Sequence, residues 1–117
     1  MHEFSIMSYL LEMVEEEARH CGASRVVAIN LVMGERASVI DDSLLFHFDL
    51  LTPGTVAEGA RLNVRRTRMS FHCRRCGEDY IPAVGTFECP ICGQVGTVTS
   101  DGSELLVESI EIETDPP

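Results

Sequence analysis

The sequence predicts an α/β chain: two helices and three strands, interrupted before the last strand by an inserted module built around paired cysteines. Three observations predict it. Apolar residues recur at helical spacing over 4–21 and again over 42–51. Three stretches, 25–33, 61–71 and 104–113, carry the apolar and alternating character of strands. Residues 72–98 break both patterns, with few large apolar residues, six Gly or Pro and four of the five Cys.

In the first helix Phe4, Met7, Leu10, Leu11, Val14, Ala18 and Cys21 form the apolar stripe. Ser5, Ser8, Glu12, Glu15, Glu16 and Arg19 fill the other face, with Glu15 and Arg19 in the favourable i,i+4 orientation. Gly22 stands where a C′ glycine ends a helix. Cys21, on the apolar face, is expected to be a small core residue. Residues 25–33 read Arg-Val-Val-Ala-Ile-Asn-Leu-Val-Met, apolar at almost every position, as a strand buried on much of both faces does. Asp41 and Asp42 are the expected cap of a second helix, whose stripe is Leu44, Leu45, Phe48 and Leu51. Pro53-Gly54 ends it.

The remaining strands share an irregularity. Leu62 and Val64 lie on one parity, Met69 and Phe71 on the other, which calls for a bulge or change of face near 65–67. Leu105 and Val107 differ in the same way from Ile110 and Ile112, with the switch at Glu108-Ser109. Matching breaks suggest antiparallel neighbours. Some of Arg65, Arg66 and Arg68 would then face some of Glu108, Glu111 and Glu113.

The 117 residues suit one domain with a small satellite. Nine Arg, no Lys and 19 Asp or Glu give a net charge of −10, which argues against a general nucleic-acid binder and against a surface for anionic lipids. Apolar runs fall far short of a membrane span. Met1-His2-Glu3 opens the chain with no basic and then apolar leader, so a cytoplasmic protein with reduced thiols is expected.

Cys73-Arg-Arg-Cys76 and Cys89-Pro-Ile-Cys92 are separated by twelve residues, and Gly77 and Gly93 directly follow the second cysteine of each pair. A tight turn lets two thiolates three positions apart bind one ion, and the glycine permits the positive φ such turns need. Two such knuckles make a tetrahedral all-sulfur site suited to Zn²⁺. The alternatives are disulfides or a redox pair, but a redox motif would be one pair beside a βαβ unit. Four thiolates saturate zinc and leave no open position for water, so the site reads as structural, with the metal supplying the insert's folding energy. Arg74 and Arg75 are either exposed cations or a partial counterweight to the thiolates. His72 is either a solvent-facing strand-end residue or an alternate ligand or partner of the site.

The N-terminus is a second metal candidate. A free α-amine, backbone amides that can deprotonate and the adjacent His2 imidazole close small chelate rings around one ion. Such a nitrogen set suits the square-planar geometry of Ni²⁺ or Cu²⁺. The first N–H groups of a helix have no internal partner, so deprotonating them breaks no helical bond. On spacing alone, an ordinary exposed terminus is the alternative. His20, near a helix end, reads as structural through the helix dipole. His47 reads as an exposed helix residue, with reach to a metal in a partner-bound state as the alternative.

Several motifs occur together and in order: Met1-His2-Glu3 before an amphipathic helix, Gly34-Glu35 after a β-rich run, Leu45-Phe46-His47-Phe48 before Leu51-Thr52-Pro53-Gly54-Thr55, Glu58-Gly59-Ala60, the cysteine pairs, and Gly102-Ser103-Glu104-Leu105-Leu106-Val107 leading into Ser109-Ile110-Glu111. Across nearly the whole chain they resemble the HypA/HybF family of hydrogenase-maturation nickel-incorporation proteins. The resemblance implies a small two-layer α/β domain, two helices on a three-stranded sheet, with an inserted zinc-ribbon-like module. The nickel-binding α/β domain would comprise 1–71 and 99–117, and the zinc module 72–98. It also implies a nickel metallochaperone, not an enzyme. Nickel would bind at Met1, His2 and Glu3, with His2 the essential ligand, and structural zinc at Cys73, Cys76, Cys89 and Cys92. The implied partners are a nickel-maturation GTPase and the large-subunit precursor of a [NiFe]-hydrogenase, urease being a further client; the chain itself would be a monomer or weak homodimer. Some relatives place a His near the second Cys of a knuckle for pH-linked ligand exchange. Here Gly77-Glu78-Asp79 and Gly93-Gln94-Val95 stand there instead, so that switch is not implied.

Two other classes compete. A zinc-ribbon nucleic-acid-binding module would use Arg61, Arg65, Arg66, Arg68, Arg74 and Arg75, clustered within fifteen residues. A zinc-ribbon adaptor would carry no labile nickel. No Ser/His/Asp set or phosphate-binding glycine loop is evident in the sequence.

Overall fold

A computed structural model describes residues 3–37 and 41–115, without the side chains of Glu3 and Asp41. The chain forms two compact units. One comprises Met1–Val32, Ser38–Arg65 and Leu106–Pro117, the other Met33–Ala37 and Arg66–Leu105.

In the first unit, helix α1 spans Glu3–His20 and helix α2 Asp41–Leu51. Met7, Leu10, Leu11, Val14 and Ala18 are buried along α1, as the spacing requires. Leu44 and Phe48 are buried on α2, while Leu45 is half exposed. The two helices pack against each other.

Strand β1, Ala23–Gly34, buries consecutive residues, Val26, Ala28, Ile29, Leu31, Val32 and Met33, and so has apolar contacts on both faces. Such a strand belongs in the middle of a sheet. Strand β2, Arg61–Thr67, and a long C-terminal strand, Leu105–Thr114, flank it on either side. The two strands expected to be neighbours are therefore separated by β1. Their charges still meet, because long side chains reach across the central strand. Arg65 Nη2 lies 2.8 Å from Glu108 Oε2, and Arg61 pairs with Glu111 at 3.6 Å. Beneath them Asn63 Nδ2 donates to Asn30 Oδ1 (2.8 Å), and Asn30 Nδ2 donates to Ser109 Oγ (3.0 Å). The expected parity switch is present, since Glu108 and Ser109 are consecutively exposed between half-buried Val107 and Ile110.

In the second unit the expected strand 61–71 is broken. β2 ends at Thr67 and strand β3 begins at Ser70 in a different sheet. Between them side chains satisfy the backbone instead of a ladder. Met69 N donates to Glu35 Oε1 (2.6 Å), and Arg68 Nη2 donates to the Pro82 carbonyl (2.6 Å). The change of parity thus records a change of sheet, not a bulge. β3, Ser70–Cys73, lies between strands β4, Glu78–Tyr80, and β5, Thr97–Ser100, both antiparallel to it. The C-terminal strand Leu105–Thr114 is accordingly β6. Gly34 has no room for a side chain, since a Cβ there would strike the Gly102 carbonyl. The close approach is fixed by Arg36 N donating to Gly102 O and Gly34 N to Glu104 O, both 2.7 Å.

Candidate metal centre

Cys73 ends β3, and the chain turns at once into β4. Gly77 N closes that turn on the Cys73 carbonyl (2.7 Å), and Gly93 N closes the second turn on the Cys89 carbonyl (2.8 Å). Both glycines adopt positive φ, 74° and 81°, a conformation that a side chain disfavours. Cys89 N donates to Gln94 O (2.8 Å), and a bridge between Glu88 and Val95 braces the second turn.

These turns bring the four sulfurs of Cys73, Cys76, Cys89 and Cys92 within 4.8 Å of one another. Cys73 Sγ lies 3.6 Å from Cys92 Sγ, and Cys76 Sγ 4.0 Å from Cys89 Sγ. A tetrahedral ion with metal–sulfur bonds of about 2.3 Å places its ligands about 3.8 Å apart, close to both of these separations. All five cysteines are free, and these separations are far beyond the about 2 Å of a disulfide. Cys73 and Cys89 are buried, Cys76 and Cys92 half-buried.

Cys73 and Cys76, in one knuckle, are shifted in opposite directions. The Cys76 amide, 3.4 Å from Cys73 Sγ, holds that thiol down to about 7. Burial pushes the Cys76 thiol up to about 12, and the neighbouring sulfurs add to the rise. A cation among them supplies the charge that lets all four ionise.

The sequence reading missed the aromatic support of this unit. Phe71 is buried, stacked on Tyr80 at 5.4 Å and against Phe87 at 6.0 Å. The Tyr80 hydroxyl donates to the Phe87 carbonyl (2.8 Å) and accepts from Gly96 N (2.9 Å), tying two loops together. The available signal was that three of the chain's seven aromatics flank or lie among the cysteine pairs.

Other candidates fall elsewhere. His72 is not among the clustered donors; its Nδ1 lies 2.7 Å from Asp79 Oδ1, its cross-strand partner on β4. Cys21 is exposed, contrary to expectation. The helix ends one residue earlier, so Cys21 leaves the buried stripe, and its thiol sits 3.4 Å from Glu17 Oε2 with its pKa raised by that hydrogen bond. His20 is exposed in the last turn of α1. His47 is half-buried, its Nδ1 2.8 Å from the Ser43 carbonyl. Met1 and His2 lie outside the described residues, and of Glu3 only the backbone is described, as the first residue of α1. Arg61, Arg65 and Arg68 are held in ion pairs and Arg66 donates to the Gly34 carbonyl. Among the described residues Arg74 and Arg75 are in no ion pair. Among those residues, no helix is long and apolar enough to cross a membrane.

An α/β layer with a four-sulfur cluster in a small second sheet defines the class: a small α/β protein organised around a candidate metal centre. The family model described as "Hydrogenase/urease nickel incorporation, metallochaperone, hypA" matches residues 1–112. A hydrogenase maturation factor HypA from Caldanaerobacter subterraneus subsp. tengcongensis is 40% identical over 97% of this chain and 100% of its own length. Another from Roseiflexus sp. is 37% identical over 100% and 96%. A solution structure of the Ni metallochaperone HypA from Helicobacter pylori matches with a TM-score of 0.69 at 24% identity, over 98% of this chain and 100% of that one, and so shares the fold. The chain belongs to the HypA family of nickel-incorporation metallochaperones, hydrogenase-maturation factors and not enzymes.

Proposed function

We propose that the chain carries Ni²⁺ at its N-terminus, through the His2 side chain and backbone nitrogen, the Met1 α-amine and the Glu3 backbone nitrogen. Cys73, Cys76, Cys89 and Cys92 hold a structural Zn²⁺. The cargo passes, with a nickel-maturation GTPase, to the large-subunit precursor of a [NiFe]-hydrogenase, urease being a second client. The protein works in the cytoplasm, as a monomer or weak homodimer, and binds neither nucleic acid nor membrane. The functional division follows the sequence, with nickel on the α/β domain, 1–71 and 99–117, and zinc on the insert, 72–98.

One observation carries this reading: family membership extends over residues 1–112, which include both the Met-His-Glu motif and the cysteine pairs. The sulfur cluster supports it by chemistry. Four sulfurs at tetrahedral spacing saturate one ion, so a transferable cargo needs a different donor set. Nitrogen donors at a chain end suit that need, since they can be exchanged without unfolding anything.

The test is calorimetric titration of the zinc-loaded protein with Ni²⁺, comparing wild type, His2→Ala and a variant with one extra N-terminal residue. Both changes are expected to abolish the strong site. Binding is expected to weaken as pH falls, because amine and imidazole must be unprotonated to bind. Unchanged affinity in both variants rejects the N-terminal site.

A further inference from the structure

The two helices of the first unit pack against each other on one face of the β2-β1-β6 sheet, since the opposite face carries the exposed Arg65–Glu108 and Arg61–Glu111 pairs. The two layers differ in width. A pair of packed helices, each about 10 Å across, covers about 20 Å. Three strands about 4.8 Å apart cover about 14 Å. The helix layer therefore overhangs the sheet by about the width of one strand.

The overhang lies beside β6. A groove of about 540 Å³ runs between α1 and this strand, with Met13, Val14 and Glu17 on one wall and Val107, Ile110 and Ile112 on the other. Met13 is 39% exposed, and Tyr9, one turn before it on α1, is 63% exposed. Among the described residues β6 is also an edge strand, ten residues long, with β1 on one side only. Such an edge holds a row of backbone N–H and C=O groups without a ladder partner. An apolar wall beside an unpaired edge is what an added strand requires: main-chain bonds hold it, and alternate side chains select it.

The charges indicate which strand fits. Thirteen of the nineteen Asp and Glu lie in this unit, against four of the nine Arg. Glu17, in the groove, meets the Cys21 thiol and is in no ion pair among the described residues. On the solvent face of β6, Glu111 and Glu113 are 54% and 60% exposed, in ion pairs of 3.6 and 3.5 Å. Exposed pairs of that length leave most of the carboxylate charge open to a further cation. A second copy of this chain does not suit the site. Antiparallel pairing of two β6 edges would set one acidic row against the other and point each overhanging α1 at its counterpart.

We propose that β6 and the adjoining wall of α1 form a docking site for an extended segment of another protein, alternating apolar and basic residues and added as a fourth strand. Its apolar side chains enter the groove against Met13, Ile110 and Ile112, and its basic ones lie on the other face beside Glu111 and Glu113. The site stands apart from both metal sites and does not depend on the nickel reading above.

The test titrates the full zinc-loaded chain with a capped peptide of alternating valine and lysine, followed by amide NMR signals and hydrogen exchange. Saturable shifts are expected at 13–21 and 106–114, with slowed exchange at β6 amides. The same peptide N-methylated at every residue cannot pair with an edge and should bind about tenfold or more weakly, as the loss of two ordinary backbone hydrogen bonds gives. A valine–glutamate peptide should also bind more weakly, and Glu113→Arg should narrow that gap. Met13→Ser, at a partly exposed position, should weaken the valine–lysine peptide severalfold with the spectrum of the free protein otherwise retained. No saturable shift, or equal binding of the N-methylated peptide, overturns the added strand. Equal binding of the lysine and glutamate peptides overturns the basic partner. Self-association in sedimentation that protects β6 amides without any peptide assigns the edge to a second copy and overturns the proposal.

Discussion

The two units of this chain are held together by different means. The first buries a continuous set of side chains from both helices and the central strand, among them Met7, Val14, Val26, Ile29, Leu31 and Leu44, each at most 2% exposed. The second buries two large side chains, Met33 and Phe71, and two more of its buried side chains, Cys73 and Cys89, are candidate metal ligands. A helix stripe packed on an apolar strand excludes water unaided. A three-stranded sheet whose strands are three or four residues long cannot, and four sulfurs placed where they could hold one ion, with a few polar ties, stand in place of such a core. A four-sulfur site that saturates its ion is suited to hold it, not to hand it on.

Removing the metal should break this comparison most sharply. After treatment with a strong chelator, or in Cys89→Ser, amide signals from 70–100 are expected to lose dispersion while those of α1 and β1 keep theirs. Structural zinc contributes on the order of 10 kcal/mol in small metal-folded peptides, far more than any single contact here. Loss of dispersion throughout the first unit as well would show that it does not stand on its own packing.

The converse experiment acts on packing. Leu44→Ala, at a fully buried position of α2, should destabilise the first unit by about 3 kcal/mol in a denaturant titration. Metal content, measured by elemental analysis, should stay unchanged. A variant that also loses its metal would show the units to be energetically inseparable.

The smallest effect sharpens the account of the second unit. Tyr80→Phe keeps the ring on Phe71 but loses the hydroxyl shared between Phe87 O and Gly96 N. About 1–2 kcal/mol is expected, with faster hydrogen exchange at Gly96 and faster metal loss to a competing chelator. No change in either rate would leave the ion, not the tyrosine, as the tie between those loops.

Local patterns made most of this legible. The α1 stripe, the two-faced apolar run of β1 and the glycine after each cysteine pair are each decided within a few residues of chain. Cys21 failed at the same scale, because helix ends are set by a turn and a shift of one residue moves a side chain off the buried face. The family resemblance added the nickel motif, which spacing alone left as an ordinary exposed end.

Sequence by itself determined the element types, the two-helix, three-strand plan and the four-sulfur donor set, because periodicity and ligand spacing are local quantities. Only the tertiary structure decided that β1 separates β2 from β6, that the stretch 61–71 serves two sheets, and that Tyr80 and Phe71 brace the metal unit. It also decided that His47 lies against Phe4. These depend on which distant segments meet, and pairing energies between strands or rings are nearly indifferent to sequence order. Many arrangements satisfy the same pattern, and packing selects among them.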